Sequence, residues 1–336
     1  MRRLKAKLIT TIPTCNSARF LRKTLESLAA QTLSPDRVIV LDDGSRDETE
    51  QVVRSFTGLA CEFVKNPSDF GLFQNFNRCL DLAPETEFLH ILHADDIIKP
   101  QFYEVMTGLL REGVEKSLEA GDGTGRAIGW CLDERMDEHD QHLNFSGKPD
   151  GRVEHLGRDE FLRRKAEIGN QAFCSTLLRT NYKPVPCRFP LDYPILGDMV
   201  FWAAFGAECC SRIHVRRALA CYRWHGNNET LVRAPTIQSL IFDEWRTMQV
   251  NEALRERGGG WLRSMKLKGL MAVRSGIKAK RVRQNGNMEY SREIVRAARG
   301  LVGLPLWLCG LLLVEARDIC LFAILGRKRH SKNIYG

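Results

Sequence analysis

Three short apolar runs, each ending in polar residues, constrain the fold of this chain more than any other feature. Leu8-Ile9-Thr10-Thr11-Ile12 runs into Pro13-Thr14-Cys15-Asn16, and Val38-Ile39-Val40-Leu41 runs into Asp42-Asp43-Gly44-Ser45. Leu89-His90-Ile91-Leu92 passes through His93 and Ala94 to the adjacent carboxylates Asp95-Asp96. Short, apolar and bounded by turn formers, each reads as a buried strand, with a helical pattern following. Together with a further strand from Cys61 to Lys65, this rhythm predicts an α/β fold with a mostly parallel central sheet and right-handed crossovers. In such a sheet ligands bind beyond the carboxyl ends of the strands, where all three runs deliver polar groups.

The helices follow from spacing and caps. Asn16 or Ser17 can cap a helix with Phe20, Leu21, Leu25 and Leu28 on one face, ending near Gln31. Asp47 can cap a second to about Phe56, and a third runs from about Leu72 to Leu82 after the loop Asn66 to Gly71. Past Asp96, helices are predicted from Pro100 to about Arg111, Asp159 to Lys165 and Asp198 to Phe205. Strands are predicted at Ala127 to Leu132, Ser175 to Leu178 and Ile213 to Cys221, the last leading into Tyr222-Arg223-Trp224-His225. The polar stretch from Asp133 to Gly151 reads as a long excursion, and long loops beside a site often serve as lids.

A chain of 336 residues accommodates one catalytic domain and an appendage. We expect a catalytic domain over 1–230, in two halves at about 1–112 and 113–230, followed by a basic helical region over 231–336. The net charge of +9 is unevenly placed: from Arg246 onward there are 19 Lys and Arg against 6 Asp and Glu, leaving −4 for the front. Eleven cysteines without paired zinc spacing suit a reduced, cytoplasmic setting. The basic start is followed by only five apolar residues before Pro13, too few for an export signal. Residues 301–314 are apolar apart from the Pro305 interruption, then Glu315, Arg317 and Asp318 intervene, so the run falls short of the roughly 20 residues of a membrane span. Arg292, Arg296 and Arg299 precede it and Arg327-Lys328-Arg329 follow, which suits an anionic membrane surface, peripheral on the cytoplasmic face of the inner membrane. The competing reading is a helical pair packed on the catalytic domain.

Four segments, Thr11-Ile-Pro-Thr-Cys-Asn16, Leu41-Asp-Asp-Gly-Ser-Arg-Asp-Glu-Thr49, Leu92-His-Ala-Asp-Asp96 and Tyr222-Arg-Trp-His225, resemble in order and spacing the family 2 glycosyltransferases. The resemblance covers about residues 7–226. It implies a GT-A fold with a nucleotide-binding half at about 1–112 and an acceptor-binding half at about 113–230, a nucleotide-diphosphate sugar as donor with a UDP-sugar foremost, Mn2+ or Mg2+, and inversion at the anomeric carbon. A nucleotide diphosphate leaves with growing negative charge, which a divalent cation held by hard oxygen ligands offsets. Asp95 is the expected ligand, with Asp96 and His225 completing the site. Asp42 and Asp43 are expected at the base and ribose, with Pro13, Thr14, Asn16 and Ser45 lining the donor site and Arg223 facing phosphate. His93 stands where the family often has an aspartate, as a ribose or phosphate partner or as a core histidine, and Cys15 stands where an aromatic often stacks on the base. Gly197-Asp198-Met199-Val-Phe-Trp202 resembles the acidic motif opening an acceptor-side helix, so Asp198 is the expected general base and Asp192 the reserve. The acceptor implied is a glycan or a lipid-linked sugar in cell-surface polysaccharide synthesis.

A dinucleotide-dependent dehydrogenase would need a glycine-rich turn after the first strand, and Pro13-Thr14-Cys15-Asn16 is not one. A basic membrane or nucleic-acid module would use the tail charge but leave the front carboxylates idle, so no nucleic acid is expected as partner. A third alternative is a nucleotide-sugar binder without catalysis, since His93 and Cys15 depart from the family pattern.

Overall fold

Strands β1 (Ala6–Thr14), β2 (Arg37–Asp42), β3 (Cys61–Lys65) and β4 (Thr86–Ile91) pair in parallel in the spatial order β3-β2-β1-β4. They belong to a computed structural model that describes residues 6–121, 123–168, 172–193, 195–226, 237–255, 261–284 and 286–313. The chain divides into two compact units, Met1–Asp192 with Gly197–Asn228, and Tyr193–Leu196 with Glu229–Gly336.

The first unit is built as the apolar runs dictate. Ile9, Ile12, Val40, Leu89 and Leu92 are fully buried, each contributing roughly 1.5–3 kcal/mol against exposure. Helices α1 (Ala18–Ala29), α2 (Thr49–Arg54) and α3 (Leu72–Leu80) connect the strands, and α1 buries Phe20, Leu21, Leu25 and Leu28. Its start is capped from a distance: Ser17 makes no side-chain cap, and Asp47 Oδ2 accepts the Ala18 N–H at 3.0 Å. Asp47 Oδ1 accepts the Thr49 N–H at 3.1 Å, so one carboxylate serves the first turns of two helices. His90 lies in the core, its Nδ1 2.9 Å from Tyr103 Oη, and burial pulls its pKa down to about 3.

Beyond β4 come β5 (Ile97–Ile98), α4 (Phe102–Glu119), β6 (Ala127–Met136), β7 (His142–Phe145), β8 (Val153–His155), α5 (Arg158–Ile168), β9 (Thr176–Arg179), α6 (Gly197–Ala207) and β10 (Ser211–Arg223). They extend the sheet in the order β4-β9-β6-β10-β5, with β7 on β6 and β8 on β10. β9 is antiparallel to both neighbours while β6 and β10 run parallel, so this half is mixed. Helix α4 runs eight residues past the predicted end at Arg111. Gly113 is the reason: a Cβ there would lie 2.8 Å from Ile213 Cδ1, so the glycine that weakens the helix signal is what lets α4 lie against β10.

The polar excursion at 133–151 is not a structureless lid. β6 continues to Met136, Asp140 turns the chain with φ 65°, and β7 returns as a hairpin. Ion pairs from Arg19 to Glu138 (2.7 Å) and from Lys23 to Asp140 tie the turn to α1.

The second unit is helical. Helices α7 (Ile237–Arg255), α8 (Trp261–Gln284) and α9 (Met288–Val302) bury a small core of Ile241, Met248, Met271, Ala272, Ile294, Ala298 and Trp307. Asn287 caps α9 through the Tyr290 N–H at 3.0 Å, and Gly303, with φ 85°, ends it before a further helical stretch at 304–313. In α7, Asp243 accepts the Ile195 and Leu196 N–H groups at 3.1 and 3.2 Å, which brings 193–196 into this unit. No helix among the described residues is long and apolar enough to cross a membrane. The later part of the apolar tail and Arg327-Lys328-Arg329 lie outside the described residues.

Candidate active site

The site grows from the order of the first four strands. The chain steps outward from β1 to β3 and then returns to β4 on the other edge of β1, so the loops after β1 and β4 diverge and leave a crevice between them. The β1–β4 ladder ends at Thr11 and Ile91, whereas β1–β2 continues to Thr14 and Asp42. Pro13 falls just past that end, where its missing N–H leaves no gap in the ladder.

The loops after β1 and β2 are knitted together on one side of the crevice. Asn16, at φ 52°, donates its N–H to Ser45 Oγ at 2.8 Å and accepts the Arg46 N–H on Oδ1 at 2.9 Å. Thr14 O accepts the Asp43 N–H at 2.8 Å. Asp42 is buried; its Oδ2 accepts the Ser45 N–H at 3.2 Å, while its buried Oδ1 has no hydrogen-bond partner in the structure. Asp43 is engaged more fully: Asn66 Nδ2 (2.6 Å) and the N–H groups of Phe70 (2.8 Å) and Gly71 (2.7 Å) all donate to its carboxylate. It therefore organises the loop that leads into α3, a role its sequence position did not reveal. Cys15 is exposed at the mouth.

On the other side, the loop after β4 gathers His93, Asp95 and Asp96, whose candidate ligand atoms all lie within 4.8 Å of one another. His93 is clamped between Phe76 and Phe173, ring centroids 5.2 and 4.4 Å away, both nearly parallel to it. Sequence spacing did not point to this clamp, because Phe76 and Phe173 come from α3 and from the turn before β9. His225 Nε2 lies 2.9 Å from Asp95 Oδ2, with its ring against Phe20 at 4.8 Å.

The two adjacent acids have opposite surroundings. Burial alone would raise the Asp95 carboxyl, but the hydrogen bond from His225 and the charges of His93 and His225 outweigh it and hold it below the usual carboxylate range. Burial, reinforced by the Asp95 charge, pushes Asp96 well above that range. Asp96 is 1% exposed and its Oδ1 accepts the Arg223 N–H at 2.9 Å. The surroundings therefore favour the charged form of Asp95 and disfavour that of Asp96, which turns inward. Carboxylate oxygens suit Mn2+ or Mg2+, and the thiol meeting Asp96, Cys174, is pushed well above its ordinary value by burial.

Arg223, expected at phosphate, is enclosed. Fully buried, it donates from Nε to Asp95 O at 2.8 Å and from Nη1 to Asp137 O at 3.3 Å and to Asp140, and it stacks over Phe20 at 4.7 Å. Its work is to clamp the hairpin turn and the Asp95 loop to the end of β10.

Asp198 opens α6, 9% exposed, with its Oδ1 accepting the Met199 N–H at 2.8 Å. Trp202, one turn later and so on the same face, meets Phe173 at 5.0 Å, and Phe173 stacks on His93. Lys165 of α5 carries a charge that Asp198 favours, yet lies buried over Trp130 (4.6 Å) and Phe161 (5.4 Å). Burial lowers it from 10.5 to about 7. Sequence reasoning marked this lysine only as the end of the helix predicted from Asp159. Asp192, the reserve base, is exposed in the loop before α6.

Residues 10–116 fit the model of Glycosyl transferase family 2. A GalNAc(5)-diNAcBac-PP-undecaprenol beta-1,3-glucosyltransferase of Campylobacter jejuni is 30% identical over 162 residues, 47% of this chain and 48% of that protein. An uncharacterized glycosyltransferase of Rickettsia typhi is 29% identical over 141 residues, 42% of this chain and 40% of that protein. The chain thus spans less than half the length of these curated relatives. Among solved structures, residues 1–349 of S. aureus TarS in complex with UDP-GlcNAc superpose with a TM-score of 0.59 at 16% identity, over 98% of this chain and 95% of that one. The fold is of the GT-A type, and residues 10–116 are similar to the family 2 glycosyltransferases.

Proposed function

We propose that this chain is a metal-dependent glycosyltransferase that moves a sugar from a UDP-sugar to a hydroxyl of a glycan or lipid-linked acceptor. The observation that carries the reading is the gathering of His93, Asp95 and Asp96, their candidate ligand atoms within 4.8 Å of one another, at the end of the strand that borders the crevice. Asp95, with His93 beside it, would hold Mn2+ or Mg2+, which when bound offsets the charge of the departing diphosphate. The buried free oxygen of Asp42 serves as acceptor for a base N–H or a ribose hydroxyl, and Asp43 keeps the 66–71 loop in place beneath it. Asp198 takes the acceptor proton as the hydroxyl attacks, and a single displacement of this kind inverts the anomeric carbon.

UDP sugars are the first donors to test because the TarS neighbour holds UDP-GlcNAc. A polyprenyl-linked glycan is the first acceptor class to test because the Campylobacter relative is named for one. The test is a panel of UDP sugars, each incubated with Mn2+ or with a chelator, and assayed for release of UDP. Consumption of one donor in the Mn2+ arm alone supports the reading. Equal consumption in both arms, or none from any nucleotide sugar, contradicts it.

A further inference from the structure

In the second unit, α8 and α9 enclose a groove of about 320 Å³ lined by Arg283, Arg292, Arg296 and Arg299, with Met288 and Val295 between them. Arg292, Arg296 and Arg299 are spaced to share one face of α9, and Arg283 reaches the same groove from the end of α8. No carboxylate lines it. Glu289 and Glu293 are one turn away on α9, yet among the described residues neither forms an ion pair with any of the four. Four guanidinium groups in one groove repel one another, and a ligand that presents several anionic oxygens relieves that repulsion through forked hydrogen bonds.

A second feature identifies the ligand. Past Gly303, the stretch 304–313 leaves Leu304, Leu308 and Leu312 exposed by 51%, 50% and 71%, one helical turn apart, while Trp307 on the other side is buried. An apolar stripe next in sequence to a cationic groove matches a bilayer surface, where phosphates lie above acyl chains. A nucleic acid would use the arginines and leave the leucines in water.

We propose that Arg283, Arg292, Arg296 and Arg299 form a headgroup site for anionic phospholipid, with Leu304, Leu308 and Leu312 entering the interface beside it. The inference goes beyond the transferase reading, since it rests on the second unit alone and stands or falls by membrane binding.

The experiment is co-sedimentation of the full chain with vesicles of phosphatidylcholine containing one third phosphatidylglycerol, and with vesicles of phosphatidylcholine alone. Each cation near an anionic surface is worth about 1 kcal/mol, or roughly fivefold in partitioning, so Arg299→Gln should weaken binding about fivefold. The triple variant Arg292→Gln, Arg296→Gln, Arg299→Gln should weaken it roughly a hundredfold. Arg22→Gln, on α1 of the first unit, should bind as wild type. Binding by wild type to both vesicles alike, or to neither, overturns the proposal. So do variants that bind anionic vesicles as wild type does, and retention by single-stranded RNA in place of vesicles.

Discussion

The backbone N–H of Arg223 donates to Asp96 Oδ1 at 2.9 Å, joining the end of β10 to the loop after β4. This bond turns Asp96 into the protein and leaves Asp95 to the crevice. Asp96→Ala should lower stability by about 1–3 kcal/mol, the cost of an orphaned buried donor, whereas Asp96→Asn keeps an acceptor oxygen and should cost less. Urea denaturation of both variants checks the order; equal stability of Asp96→Ala and wild type would refute it.

Asp43→Ala releases three donors at once, Asn66 Nδ2 and the Phe70 and Gly71 N–H groups. We expect a loss of about 1–3 kcal/mol and weaker UDP binding, because the loop that borders the base site is no longer held. Calorimetric titration with UDP reads the second effect. A variant with normal UDP affinity and altered acceptor affinity alone would place this loop elsewhere in the reaction.

Lys165 predicts a pH dependence of stability. With the folded pKa at about 7 against 10.5, the unfolded chain binds the extra proton between these values, so stability should rise with pH across that window. Lys165→Met should flatten the rise and stabilise the protein near neutral pH by roughly 2–4 kcal/mol. Urea midpoints near neutrality and near the upper end of the window measure both; a variant with the wild-type slope would show that Lys165 titrates normally.

Asp198→Asn keeps size and capping ability but takes no proton. The rate constant should fall by roughly 10²–10⁴-fold, with donor affinity within a few-fold of wild type and a small fall in the melting temperature, because the buried Lys165 loses the Asp198 charge. Near-normal turnover here, with loss in Asp192→Asn, would move the base to Asp192.

What the sequence revealed follows from how local each signal is. The runs at Leu8, Val38 and Leu89 announce strands because period, β-branching and turn residues agree within a few positions. β5 and β8, with two and three residues, carry no period at all and exist only because β10 is there to pair with them. Asp95 was legible as a charge at a strand end; that Asp96 turns inward was not, since its partner is a backbone N–H 127 residues away. Arg223 misled for the same reason: an arginine after a strand near a phosphate motif reads as a ligand until Asp137, Asp140 and Phe20 enclose it. The His93 clamp and the Lys165 box are likewise made of rings from distant elements.

The central claim is that Asp95 is the carboxylate through which divalent metal and donor bind together. Its most direct measurement is calorimetric titration of UDP into wild type and Asp95→Asn, each with Mn2+ and with chelator. Wild type should bind UDP roughly tenfold or more tightly with Mn2+, a gain of about 1.4 kcal/mol or greater, and Asp95→Asn should lose that gain while its melting temperature stays within a few degrees of wild type. An Asp95→Asn variant that keeps the full Mn2+-dependent gain in UDP affinity would contradict the account.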